Sequence, residues 1–282
     1  MILSPRNFMS DTDGMDIKDN RKDLGSIFDT AVSLYDRMRP GYAAELYDAI
    51  FDYVHIDKDS RVVEVGSGSG QATLPVLKTG CHLTAVEYGE NFSKLLGDKF
   101  REYPGFNVIT GRFEEAELPG NSYDLIFSAT AFHWVPEDVG YTKVYSLLRK
   151  GGAFARFANR PRIGKDAPGL VREIDKIYDE YYNRYYDIRS GTREWFTEEK
   201  AKEISRIPLK YGFEDIKYRL FYRERIFTAK EYVQLLGTYS DHIAIEESTR
   251  NAFFSKIEDA IEHNGGAITI SDTMDLELAR KV

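Results

Sequence analysis

The chain has 282 residues, 42% hydrophobic and 13% aromatic, with 38 lysines and arginines against 46 aspartates and glutamates, a formal net charge of −8. This apolar content can build a core and excludes global disorder. A single cysteine, Cys81, excludes an internal disulfide framework and a cysteine-based zinc site. No apolar run approaches the ~18 residues of a membrane span, and no apolar stretch follows a basic head at the start. The acidic balance speaks against a nucleic-acid backbone as main partner. The expectation is a cytoplasmic protein with no membrane or nucleic-acid partner, monomeric or homodimeric.

Residues 1–24 are polar, carry Asp11, Asp13, Asp16, Asp19 and Asp23, and read as a mobile acidic arm. From Ile27 to Val54 apolar residues recur at helical spacing, interrupted by Arg39-Pro40-Gly41, which predicts two helices with a break. Short β-rich runs at 61–65, 82–88, 106–110, 123–130 and 152–158 then alternate with helical patterns of about ten residues. This predicts an α/β fold of Rossmann-like, doubly wound type, with a mostly parallel sheet covered on both faces. Residues 159–165 read as a loop, 167–186 as an amphipathic helix with a tyrosine stripe, and 217–227 as a strand. Helices at 229–237 and 248–263 and a last strand at 267–278 follow. The plan is a domain over 25–282 with a helical lid insertion at about 160–215, seven strands and an antiparallel C-terminal strand.

The sharpest local feature is Glu64-Val65-Gly66-Ser67-Gly68-Ser69-Gly70, between a strand and a helix. Alternate glycines permit positive φ and close approach of a ligand to the backbone, and the following helix aims free N–H groups at the loop. A dinucleotide fingerprint needs a small third residue where Gln71 stands, and a phosphate-binding P-loop needs a lysine that is missing. A ligand that carries adenosine without phosphates fits better. Glu87, ending the second strand, can accept both ribose hydroxyl protons; a tight turn beside a solvated glutamate is the plainer reading.

With these residues, the chain resembles class I S-adenosylmethionine (SAM)-dependent methyltransferases, and more narrowly the small-molecule group that includes trans-aconitate methyltransferase-like proteins. The likeness lies in VVEVGSGSGQAT, in Glu87-Tyr88, in YDLIFSATAFHWV over 123–135, in LLRKGG over 147–152, and in FDTAVSLYDRMRPGY over 28–42. It implies SAM as cofactor and S-adenosylhomocysteine (SAH) as product. It also implies cofactor contacts from Glu64, Gly66, Ser67, Gly68, Gly70, Glu87, Tyr88, Ser128, Ala129 and Thr130. Many relatives place an acidic residue after the third-strand glycine; Arg112 and Phe113 stand there instead. Arg112 offers only donors, so it would stack on adenine, or Phe113 would contact the ring through its N–H. Tyr35 and Arg39, one helical turn apart, would hold the methionine carboxylate.

A methyl acceptor completes the expectation. His133 is the candidate catalytic residue, as a general base or as a packing partner of Trp134. His133, Trp134, Arg160, Arg162 and Tyr182 are the candidate acceptor-binding residues. Arg156, Arg160, Arg162 and Lys165 put four cations within ten residues, suiting an anionic acceptor or a solvated basic loop. No histidine spacing suggests a metal. The function so implied is methyl transfer to a small organic molecule, with a carboxylic acid as candidate. A protein or nucleic-acid methyltransferase and a non-catalytic SAM-binding protein are the alternatives.

Overall fold

The computed structural model describes residues 32–188 and 195–282; the acidic arm and the start of the 28–42 segment lie outside them. Helices α1 (Val32–Met38) and α2 (Ala44–Tyr53) flank the break at Pro40-Gly41, where proline's missing N–H ends helical bonding. There follow β1 (Arg61–Val65), α3 (Thr73–Leu77), β2 (His82–Glu87), α4 (Glu90–Lys99), β3 (Phe106–Thr110) and β4 (Tyr123–Ala129). A short turn of 3-10 helix (Phe132–Trp134) leads to α5 (Glu137–Leu147) and β5 (Leu148–Ile163). Next come α6 (Pro168–Tyr178), α7 (Glu198–Ile204), β6 (Glu214–Thr228), α8 (Ala229–Leu236), α9 (Ser240–Ile243), α10 (Glu247–His263) and β7 (Ala267–Arg280).

The strands form one seven-stranded sheet in the order β3-β2-β1-β4-β5-β7-β6. The five strands from β3 to β5 in this order run parallel, with Val65 beside Val86 and Glu87 beside Thr110. β4 is buried over six of its seven residues, as expected when helices cover both faces of a parallel sheet. Pairing of β5 with β7 is antiparallel: the Gly151 N–H donates to the Lys281 carbonyl and the Lys281 N–H donates back to Gly152.

The chain divides into two compact units. One contains residues 40–159, 196–221 and 274–282. Its two apolar clusters are built from residues such as Leu46, Ile50, Leu83 and Leu125, and from Val63, Ile126, Tyr141 and Phe154. The second unit contains the described parts of 1–39 and 160–195, with 222–273. Its core joins Leu170, Ile174 and Tyr178 of α6 to Tyr232 and Leu235 of α8 and Phe253 and Ile257 of α10. A capping box, in which the Thr228 hydroxyl accepts from the Glu231 N–H and the Glu231 carboxylate accepts from the Thr228 N–H, starts α8. Asn264 and the left-handed Gly265 and Gly266 turn α10 into β7.

One local expectation is overturned. Residues 159–163, read as loop, belong to β5, which extends to Ile163. The polar, proline-containing text NRPRI hides the strand, because strand formation there is decided by a pairing partner distant in sequence. The Gly164 N–H, just beyond Ile163, donates to the Thr269 carbonyl.

Candidate functional site

The parallel register brings the ends of β1, β2, β3 and β4 to one edge of the first unit, where ligands of open α/β sheets bind. Gly66, Gly68 and Gly70 have φ of 71°, 55° and 84°, the left-handed region that explains glycine at each. Space matters as well as torsion. A Cβ on Gly66 would stand 2.5 Å from the Ala131 Cβ, and one on Gly70 2.6 Å from the Phe100 ring. The loop is tied down by the Gly66 N–H to the Val86 carbonyl at 2.9 Å, the Gly70 N–H to Ser67 at 2.9 Å, and the Lys99 ammonium to the Ser69 carbonyl at 2.9 Å.

Glu87 grips this loop. One carboxylate oxygen accepts the Gly68 N–H at 2.7 Å, and the other accepts the Gly89 N–H at 2.9 Å. The group is 8% exposed, so it is not the solvated glutamate of the plainer reading. An ionised carboxylate accepts hydrogen bonds on both oxygens, and here each oxygen takes a backbone N–H. Glu64 is fully buried and accepts the Thr73 hydroxyl at 2.6 Å. Burial pushes its pKa up to about 7, with the neighbouring Glu87 charge adding to the rise. Its second oxygen is buried without a hydrogen-bond partner.

Tyr88 is 43% exposed, and the Arg112 guanidinium lies 4.7 Å from its ring centroid. Arg112 thus stacks on the residue expected to face adenine. Phe113 is buried, with the Lys143 ammonium 5.3 Å from its ring. The Ser128 hydroxyl donates to the Val65 carbonyl at 2.8 Å, clamping β4 to β1 where the glycine loop begins.

Beyond Ala129 the chain turns sharply at Thr130, whose φ is 56°. A β-branched residue in this region carries strain of order 1–3 kcal/mol. Tyr42 Oη and Thr130 Oγ1 share a hydrogen bond of 2.7 Å, and the Asn159 N–H donates to the same Oγ1 at 3.2 Å. The turn delivers His133 and Trp134, half-buried, with ring centroids 4.9 Å apart. Tyr42 closes the matched 28–42 segment, but its bond to Thr130, like that of Asn159, cannot be read from the pattern, since the positive φ that gives Thr130 its importance is invisible in sequence.

The remaining candidates fall in the second unit. The Arg39 guanidinium donates to the Thr238 carbonyl at 3.0 Å and lies 4.0 Å and 4.8 Å from the Tyr239 and Tyr35 ring centroids. Arg160 and Arg162 are half-buried on β5. Tyr182 is buried, and its hydroxyl donates to Asp241 at 2.8 Å. Of the other cations in that run, Arg156 pairs with Glu277 at 2.9 Å and Lys165 lies over Trp195. A cleft of about 930 Å³, bordered by Leu118, Val139 and Lys143, takes no residue from the glycine loop. Among the described residues no helix is long and apolar enough to cross a membrane.

Comparison with known proteins agrees with this geometry. A family described as "Methyltransferase domain" matches residues 63–155. The chain is 23% identical over 230 residues to an uncharacterized methyltransferase of Schizosaccharomyces pombe, covering 80% of this chain and 84% of that one. It is 29% identical over 158 residues to an uncharacterized methyltransferase of Mycobacterium tuberculosis, covering 56% and 61%. Among solved structures, a Haemonchus contortus phosphoethanolamine N-methyltransferase in complex with SAH is similar with a TM-score of 0.53 at 13% identity, covering 90% of this chain and 57% of that one. The [4+2]-cyclase SpnF is similar with a TM-score of 0.53 at 14% identity, covering 93% and 96%. The chain therefore spans less than two thirds of the mycobacterial relative and of the Haemonchus enzyme; these structural likenesses concern the fold.

Proposed function

We propose that the chain, which matches a methyltransferase domain over residues 63–155 and a methyltransferase relative over 84% of that relative's length, is a class I SAM-dependent methyltransferase that methylates a small organic molecule, with a carboxylic acid as the acceptor class. The cofactor site fits an adenosyl ligand on its own chemistry. Glu87 ends β2 with a buried carboxylate tied to the glycine loop, a group of the kind that accepts from a ribose diol. Tyr88 offers an exposed aromatic face, and Glu64 keeps a buried oxygen without a partner. SAM supplies a methyl group already activated by the positive sulfur. The protein's task is to align and dry the reactants. A carboxylate needs no base, so His133 and Trp134 act as walls that orient it; for an alcohol, His133 would take the proton. Arg160 and Arg162, half-buried on β5, carry the charge that suits an acid. The observation that carries the reading is the Glu87 grip on the glycine loop. The net charge of −8 disfavours a polynucleotide acceptor.

The test is transfer of labelled methyl from SAM to a panel of small carboxylic acids, alcohols, amines, RNA and protein. Label is expected in a methyl ester, and Arg160→Ala and Arg162→Ala should raise the acid's KM several-fold while leaving the KM for SAM unchanged. Label confined to RNA or protein, or an unchanged acid KM in both variants, contradicts the proposal. A second reading is a SAM-binding protein without methyl transfer, since a fold does not fix its activity. Saturable SAM binding with no labelled product would select it.

A further inference from the structure

We propose that Tyr42 is a positioning residue of the cofactor site, acting on the glycine loop through Thr130 and Ala131; the proposal rests on the reading of that loop as the SAM site. Three observations carry it, all within the first unit. Thr130 is a β-branched residue at φ 56°, a conformation that persists only where its surroundings hold it. Its restraints are specific: its N–H donates to the Phe157 carbonyl at 2.8 Å, while its hydroxyl meets Tyr42 Oη at 2.7 Å and the Asn159 N–H at 3.2 Å. The Tyr42 ring is fixed in turn by an edge-to-face contact with Phe157, centroids 4.8 Å apart.

The third observation says what the turn is for. The residue it delivers, Ala131, is the one whose Cβ lies 2.5 Å from where a Gly66 Cβ would stand. Gly66 opens the loop whose Gly68 N–H is held by Glu87. The left-handed step at Thr130 therefore sets how Ala131 seats against the first glycine. Relaxation of Thr130 to negative φ would swing Ala131 off Gly66 and loosen the loop. Glycine at 130 would adopt this φ without strain but would have no hydroxyl for Tyr42 and Asn159 to hold. Threonine with a tyrosine latch gives a turn fixed in place.

The test is a double-mutant cycle read by calorimetry of SAH binding to the full chain, at a temperature well below every variant's Tm. Tyr42→Phe should weaken SAH binding about 10-fold, the scale of one lost hydrogen bond that orders a site. In a Thr130→Gly background the same substitution should change binding less than about 2-fold, because the hydroxyl it acts through is gone. A Tyr42→Phe protein that binds SAH like the parent, or one that loses equally in both backgrounds, overturns the proposal. A purely structural role would lower Tm without this coupling in affinity, and that also overturns it. Should Tyr42→Phe fail to fold, Thr130→Val removes the hydroxyl from the other side and should show the same weakening; wild-type affinity there counts against the latch. If the parent chain takes up no SAH, the SAM reading itself fails, a result distinct from a parent that binds and a variant that is unaffected.

Discussion

His133 and His242 show how differently two histidines among aromatic neighbours can be used. His242, in the second unit, is fully buried. Its Nδ1 meets Asp241 Oδ1 at 2.9 Å and its Nε2 meets the Tyr178 hydroxyl at 3.0 Å. Tyr182 donates to the other Asp241 oxygen, and Tyr186 to the Asp241 carbonyl. On paper an Asp-His-Tyr chain resembles a proton relay. With its tyrosine also fully buried, it is a satisfied polar network that fixes how α6, α9 and the residues after α6 pack. Burial works against the Asp241 charge, but the His242 charge and the bonds from His242 and Tyr182 hold its carboxyl below the usual range. His133 instead sits half-buried on a three-residue turn just past the strained Thr130. Constellations are therefore to be judged by reach and backbone strain as well as by composition.

This contrast is broken most severely at the glycine loop. Gly66→Val places a branched side chain at φ 71° and against Ala131; SAH binding should fall at least ~100-fold while the Tyr178–His242 network stays intact. Calorimetry checks the first statement and near-ultraviolet circular dichroism the second. His242→Ala should do the reverse. It leaves the Tyr178 hydroxyl and Asp241 without their buried partner and should cost about 3 kcal/mol in urea unfolding, with SAH affinity of the remaining folded protein within about 2-fold. A larger loss of affinity would mean that the network serves the ligand site.

Glu64 sharpens the comparison through pH. Its folded pKa of about 7 lies above the 4.5 of an ordinary glutamate, so the folded protein holds a proton that the unfolded chain has released between these values. The associated stability is complete below about pH 4.5 and is lost as pH rises through about 7. Glu64→Gln keeps an acceptor for Thr73 and removes the titration. Its Tm should gain on the parent's as pH rises from 5 to 8, by about 2–4 °C for each kcal/mol recovered. A Tm difference independent of pH would show that Glu64 is ionised throughout. The smallest effect is expected at the partly exposed Arg112–Tyr88 stack, where Arg112→Ala should weaken SAH by no more than about 3-fold. A loss of ~50-fold would mean that Arg112 contacts the ligand directly.

What could be read from the sequence follows the same division. The parallel strands and the glycine loop are written in contiguous residues: β-rich runs, alternate glycines, and Glu87 at the next strand end. The two helices around Pro40-Gly41 and the long helix α10 are likewise local patterns. The far end of β5 was hidden because Asn159, Arg160 and Arg162 are polar, Pro161 interrupts the run, and the pairing partner is distant in sequence. The role of Tyr42 was hidden because it depends on a torsion at Thr130, 88 residues away. The tyrosine stripe was visible, but only the packing shows that Tyr178 and Tyr182 spend their hydroxyls on His242 and Asp241.

The central claim is that Glu87 and the loop it grips hold the adenosyl ligand. Titration of SAH into the parent chain and into Glu87→Ala, by calorimetry at one pH and salt, tests it most directly. The account predicts one saturable site in the parent and a loss of at least ~30-fold in the variant, as expected for removal of a charged hydrogen-bond acceptor. Equal affinity in the two proteins, or no uptake by the parent, would contradict it.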